Sequence, residues 1–363
     1  MYIKKKFPIK DLLLWSYRDM LFFLVVSGIP VALYTLLDLK FLRLPWLPIA
    51  VLGTALAFII GFKNNTSYDR YWEARKIWGG IVNSSRSWAI MVRDFINNKH
   101  AKNDHLTNDQ LAAVKIKLIN RHIAWMAAHR YSLRTSKPWE SSMDHKGSDK
   151  FANRLNIPEW SCSLEEALTP LLDPEELTYV MSKTNKATTL ISLQSKHLKE
   201  LEEKGHIWEF SYLELEKMLV EFYTLQGKNE RIKNFPYPRQ FATLNFYFIW
   251  TFIFLLPFGV IGAFDELGLN LRAYLTDIGK DSESFSFMIA RNFTWLTVPF
   301  CVIISWVFNS MDVVGQLTEN PFEGTPNDIP ISTMSRGIEI DILEILDAEN
   351  IPEPIPTQHH IQL

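Results

Sequence analysis

The chain of 363 residues is 47% hydrophobic and close to neutral, with 38 Lys and Arg against 40 Asp and Glu for a formal net charge of −2. That balance excludes the broad basic field by which a nucleic-acid binder is recognised. Its apolar residues gather into four runs, the pattern of a membrane protein rather than of one large soluble core. The only two cysteines, Cys162 and Cys301, have no CxxC or Cys/His spacing, so neither a disulfide nor a metal site is expected.

In chain order, residues 1–19 form a basic, aromatic lead-in, with Lys4, Lys5, Lys6 and Lys10 followed by Trp15, Tyr17 and Arg18. Such side chains settle at a membrane interface. Met20 to Leu37 is the first uncharged run and is about as long as a bilayer is thick. It is too long for a signal peptide and has no small-residue cleavage site, so it reads as a retained span. Pro30 is expected to kink that helix without ending it. After the short connection Asp38 to Arg43, Leu44 to Phe62 is the second run, and residues 20–62 are therefore a helical hairpin.

No proline interrupts the second run after Pro48, and the helical pattern carries on past Arg93 to about Asn97. Within the apolar half, Thr54, Phe58 and Phe62 fall at i, i+4 and i+8 and share one narrow stripe. Gly53, Ala55, Ala57 and Gly61 stand beside it, small enough for helices to approach closely in lipid. The stripe is expected to face a pore. The following segment, SYDRYWEARKIWGG, packs Asp69, Arg70, Trp72, Glu73 and Arg75 into two turns. Its charges sit at i, i+3 and i, i+4 spacing. An interface anchor stabilised by ion pairs along its own helix accounts for part of this, but the density points to packing against other helices or subunits as well.

Residues 63–240 have ordinary soluble composition. Thr107, with Gln110 three residues on, is a capping-box start for a helix through RHIAWMAAHRYSLR. His122 and His129, seven apart on its face, are expected to be hydrogen-bonded packing residues rather than metal ligands. Lys137 to Leu164 reads as a surface excursion. Helix resumes from Glu165 to Leu201 with interruptions near Pro170 and Pro174, and another follows a turn at Gly205. Pro236 and Pro238 then force an extended elbow back towards the membrane.

Residues 241–308 hold the third and fourth runs, Phe241 to Phe264 and Phe293 to Phe308. Residues 309–363 are a proline-rich stretch, one amphipathic helix from Ile331 to Leu346, and a tail in which His359 and His360 are expected to be solvated. Basic residues cluster before the first span and after the second, which places both termini and the middle region in the cytoplasm. No nucleotide, zinc-hydrolase or nucleophile-elbow motif is present, so no enzyme and no cofactor is expected.

NNTSYDRYWEARKIWG after a span, the later RHIAWMAAHRYSLR, the elbow NERIKNFPYPRQ and NPFEGTPNDIPI after the last span together resemble the bestrophin family, specifically its bacterial branch. The resemblance covers nearly the whole chain. It implies an all-α membrane protein with four transmembrane helices per subunit and a large helical cytosolic domain, assembled as a homopentameric, funnel-shaped ion channel in a cell membrane. Its neck would be lined by Thr54, Phe58 and Phe62. A second, cytosolic aperture would lie at Thr188, with Leu190 and Ile191 as neighbouring candidates. Eukaryotic members grip calcium with an acidic run after NPF. Here Glu323, Gly324, Thr325, Pro326, Asn327 and Asp328 follow instead, and no calcium clasp is expected. The threonine usual before the elbow's first proline is Phe235.

The partners so implied are other copies of the chain, the lipid bilayer and a permeant inorganic ion. A phenylalanine ring is positive at its edge and negative on its face, so the sign of the ion depends on how the rings turn. The reading leans to chloride and other anions, with a sodium or potassium channel of the same architecture as the alternative. A membrane-anchored binding or scaffold protein without conduction is the alternative of another class.

Overall fold

The computed structural model describes residues 1–101, 105–140 and 155–363. Among them it is helical throughout, with two isolated β-bridges and no strand. The helices are α1 (Ile9–Leu36), α2 (Trp46–Phe95), α3 (Asn108–Arg134), α4 (Pro158–Ser161), α5 (Leu164–Leu168), α6 (Pro174–Met181), α7 (Lys186–Glu203), α8 (Glu209–Asn234), α9 (Arg239–Asp277), α10 (Phe285–Arg291), α11 (Thr297–Thr318) and α12 (Ile331–Ile345). Contacts divide the chain into two units, one of residues 6–68 and 237–319, the other of residues 1–5, 69–236 and 320–363. Helix α2, 50 residues long, contributes to both.

Among the described residues four helices are long and apolar enough to cross a membrane, and the first unit holds their apolar parts: α1, α2, α9, and α11 with the 3₁₀ turn before it. Pro30 lies inside α1, which runs on past it, and Pro257 lies likewise inside α9. In lipid, burial of apolar area gives little drive, so close packing has to hold these helices together. Phe23, Leu56, Ile60, Phe252, Leu256 and Cys301 fill the shared interior. At Gly53 an added Cβ would come within 2.7 Å of the Phe252 ring, and at Gly259 within 2.6 Å of the Ile49 side chain. Gly53 thus serves contact between spans of one subunit, whereas Ala55, Ala57 and Gly61 are exposed.

The second unit has an aromatic core. Trp78 and Trp88 of α2, Trp125 of α3 and Phe222 of α8 are all fully buried. His129 stacks between Trp78 and Trp125, the latter nearly parallel at 3°, and His122 stacks on the other side of Trp125. Tryptophan and histidine therefore alternate through the core. Helix α3 begins at the expected capping box: Thr107 Oγ1 accepts from the Gln110 N–H, and Gln110 Oε1 from the Thr107 N–H. Ser163 and Glu166 form a second one at α5.

One expectation changes here. Of the predicted surface excursion, residues 141–154 lie outside the described residues, but the part from Leu155 is only partly on the surface: Asn156, Trp160, Ser161 and Ser163 are exposed. Leu155 and Ile157 are buried, and so is Glu159, which sits 2.7 Å from Arg130 and accepts a hydrogen bond from Ser332. The chain's tail is also anchored. Ile361 and Leu363 are buried beside Tyr2 and Leu155, and Tyr2 pairs with Ile361 in a β-bridge. His359 and His360 remain exposed, both with positive φ.

Candidate pore face and its support

Helix α2 presents two opposite faces within the first unit. Ile49, Gly53, Leu56, Ile60, Lys63 and Ser67 are buried, spaced alternately by four and three residues, the period of a packed helical seam. Facing the other way are Val51, Thr54, Phe58 and Phe62, all exposed in the subunit; Phe58 is 66% and Phe62 71% exposed. Thr54 turns its hydroxyl back to the Ala50 carbonyl at 2.9 Å, leaving its methyl and oxygen on that face. The three residues assigned to a neck thus lie on one open stripe.

The seam is fixed at its end by a polar cluster. Lys63 Nζ lies 2.6 Å from Asp312 Oδ1, with both side chains buried, and the same oxygen accepts from Asn245 Nδ2 at 2.6 Å. The other oxygen accepts from Gln316 at 2.8 Å. Asn64 donates to the Met311 carbonyl. An added Cβ at Gly315 would lie 2.1 Å from Asn64 Oδ1, so any side chain there has to push the Asn64 carboxamide aside. Sequence reading missed this cluster. The signal was a charged residue, Asp312, inside a helix directly after an apolar run, with Lys63 at the end of another span.

In the second unit, the charged turns of α2 pair across helices rather than along their own. Arg70 donates to the carbonyls of Ile232 and Phe235, each at 2.9 Å, and so caps the C-terminal end of α8. Glu73 receives Arg231 of α8 at 2.6 Å. Trp72 is half exposed, and Asp69 and Arg75 are exposed. The expected ion pairs along α2 are replaced by these links because the C-terminus of α8 offers unpaired carbonyls and a basic side chain at the same height.

The aperture candidates separate. Thr188 stands in the first turn of α7, part-exposed, its hydroxyl accepting from Gln226 Nε2 at 3.0 Å and its N–H donating to Asn185 Oδ1. Leu190 and Ile191 are buried and line a small cavity with Arg121, His122 and Phe222. Below them Arg121 makes a bidentate pair with Glu176, at 2.5 and 3.1 Å, and donates to Gln194.

The loop after α11 is buried almost throughout, Asn320 to Thr325 above all. Asp328 accepts from the N–H groups of Gly324 and Thr325 and from the Thr325 hydroxyl, and Arg134 lies 3.6 Å from it, so its oxygens are committed to protein donors. Gly324 takes φ +94°, open to glycine at no cost. Burial, with Asp328 and Glu140 nearby, pushes the Glu323 carboxyl up to about 8 against the pull of Asn320 and Lys233. Lys233 pairs with Glu140 in the same pocket. His122 and His129 are both driven down to about 3 by burial and are neutral; their Nε2 atoms meet Ser85 and Asn229 respectively.

Four long apolar helices, with a helical polar unit on the same chain, define a multi-pass, all-α membrane protein. A sequence profile described as Bacterial/Fungal Bestrophin protein matches residues 13–271 and 285–344. The chain belongs to that bestrophin family. It is similar to the voltage-dependent anion channel-forming protein YneE of Escherichia coli strain K12, 25% identical over 331 residues that cover 91% of this chain and 85% of that one. A similar match, 25% over 311 residues and covering 83% and 80%, is to the voltage-dependent anion channel-forming protein RSc3414 of Ralstonia nicotianae. Its fold is that of a bacterial bestrophin homologue from Klebsiella pneumoniae, with a TM-score of 0.68 at 20% identity over 91% of this chain and 98% of that one.

Proposed function

We propose that the protein is a homopentameric channel that passes chloride and other small anions across a cell membrane, with Thr54, Phe58 and Phe62 forming its neck. The observation that carries this is the open stripe of α2. Large aromatic side chains stand two-thirds exposed on a span whose opposite face is a tight seam, and a fivefold axis gives them a common surface to line. Relatives of matching length named as anion channel-forming proteins support the sign of the ion. A neck of this kind gates by dewetting and needs no catalytic group.

The same reading puts residues 63–240 and both termini in the cytoplasm, with the basic flanks of the first two spans inside. Asp69, Arg70, Trp72, Glu73 and Arg75 then serve as the joint between membrane and cytosolic parts. Thr188 is the aperture residue, because its neighbours Leu190 and Ile191 are committed to the core of the subunit.

The test is the reversal potential of purified protein in a planar bilayer under a KCl gradient. A value near the chloride equilibrium potential is expected. One near the potassium equilibrium potential overturns the anion assignment, and a stable monomer in detergent without current overturns the channel.

A further inference from the structure

Five polar residues, Lys63, Asn64, Asn65, Thr66 and Ser67, follow Phe62 inside a continuous helix. Four of them, Asn64, Asn65, Thr66 and Ser67, are indifferent or poor helix formers. The seam accounts for Lys63, Asn64 and Ser67, which point into the subunit. Thr66 is exposed but hydrogen-bonds back to the Phe62 carbonyl at 3.0 Å. Asn65 is exposed, and its side chain makes no hydrogen bond to any described residue. Packing within the subunit gives no reason for a carboxamide there.

Its angular position does. At ~100° per residue, with Phe58 as reference, Thr54 lies about 40° to one side and Phe62 about 40° to the other. Asn65 falls about 20° off the same line, whereas Asn64 is about 120° away and Thr66 about 80°. Asn65 therefore sits closer to the middle of the stripe than Phe62, and about 4.5 Å further along the helix axis. A ring of carboxamides then follows directly on a ring of phenylalanines.

We infer that Asn65 is a selectivity-determining residue of the pore, its side-chain N–H₂ groups donating hydrogen bonds to the permeant anion at the inner end of the apolar neck. This rests on the channel reading above. An ion in the neck has lost water that phenylalanine cannot replace, and an uncharged donor ring returns hydrogen bonds at the first position where it can. A neutral amide does so without the deep trap that a fixed cationic ring would make, since conduction needs binding weak enough to release the ion.

The experiment compares wild type, Asn65→Leu, Asn65→Gln and Asn65→Asp in planar bilayers under a KCl gradient, with Phe58→Ala measured alongside. Asn65→Leu is expected to cut anion conductance about tenfold, the size of one lost hydrogen bond to a charged group, without lowering the melting temperature in detergent. Asn65→Gln restores most of the current, and Asn65→Asp moves the reversal potential towards that of potassium. Conductance and reversal potential unchanged in Asn65→Leu and Asn65→Asp, while Phe58→Ala is altered, overturn the donor ring and leave the channel standing. Currents unchanged in Phe58→Ala as well, or none from the wild type, overturn both.

Discussion

Lys63 and Asp312 form a buried ion pair, 2.6 Å apart, one residue beyond the last phenylalanine of the α2 stripe. Because Lys63 follows Phe62 directly, drawing the lysine into the subunit sets the rotation of the helix and leaves the phenylalanine on the open side. Removing one partner strands the other charge. Lys63→Met is expected to destabilise the protein by about 3 kcal/mol or more, since Asp312 would stay buried with only amide donors. The double variant Lys63→Met, Asp312→Leu should recover a large part of that. Thermal unfolding in detergent, arranged as a double-mutant cycle, measures the coupling; additive losses in the two single variants would refute it.

Phe58 contributes little to the packing of its own subunit, being two-thirds exposed. Phe58→Ala should therefore leave the melting temperature of the subunit fold within a few degrees. It should widen the constriction and raise single-channel conductance or relax selectivity, because a wider apolar neck stays wet. Single-channel recording with wild type in the same bilayers checks this.

Glu323 makes stability depend on pH in a direction opposite to an ordinary ion-paired carboxylate. Its folded value is raised to about 8 from 4.5, so the folded state holds the proton more tightly than the unfolded chain. The resulting stabilisation is complete below about 4.5 and is lost as pH rises through about 8. Glu323→Gln mimics the protonated form and should remove that decline. Melting temperatures of both proteins between pH 4.5 and 8 compare the slopes; equal slopes would show that Glu323 is not the group responsible.

His122 and His129 act at the other end of the range. Their folded values are depressed to about 3 from 6.5, so unfolding takes up protons below 6.5 and stability falls as pH drops towards 3. His122→Asn loses the stacked ring between Trp125 and Trp88 and costs stability at neutral pH, on the order of 2 kcal/mol or more. It should also flatten the acid decline. Tryptophan fluorescence followed during acid titration reports both effects.

Much of this fold was legible in the sequence because a bilayer leaves a plain signature. Runs such as Met20 to Leu37 allow few alternatives, and Thr107 with Gln110 marks a helix start by chemistry that acts locally. The stripe of Thr54, Phe58 and Phe62 was legible for the same reason, since helical spacing alone sets which residues share a face. What escaped depended on partners far along the chain. Glu159 looked like one more charge in a loop, yet Arg130 and Ser332 make it a core residue. The spacing of Arg70 suits acids on its own helix, and nothing in its sequence surroundings announces the open carbonyls of Ile232 and Phe235.

The two faces of α2 answer to different pressures. A change at Gly53 or Lys63 is felt by every copy as it folds, before any ion is carried. A change at Thr54, Phe58 or Asn65 falls on the face that is exposed in its own subunit. Selection can therefore retune what passes through the membrane by altering the open face while the scaffold is inherited intact, and channels of diverging preference can descend from one ancestor without a loss of foldedness between them.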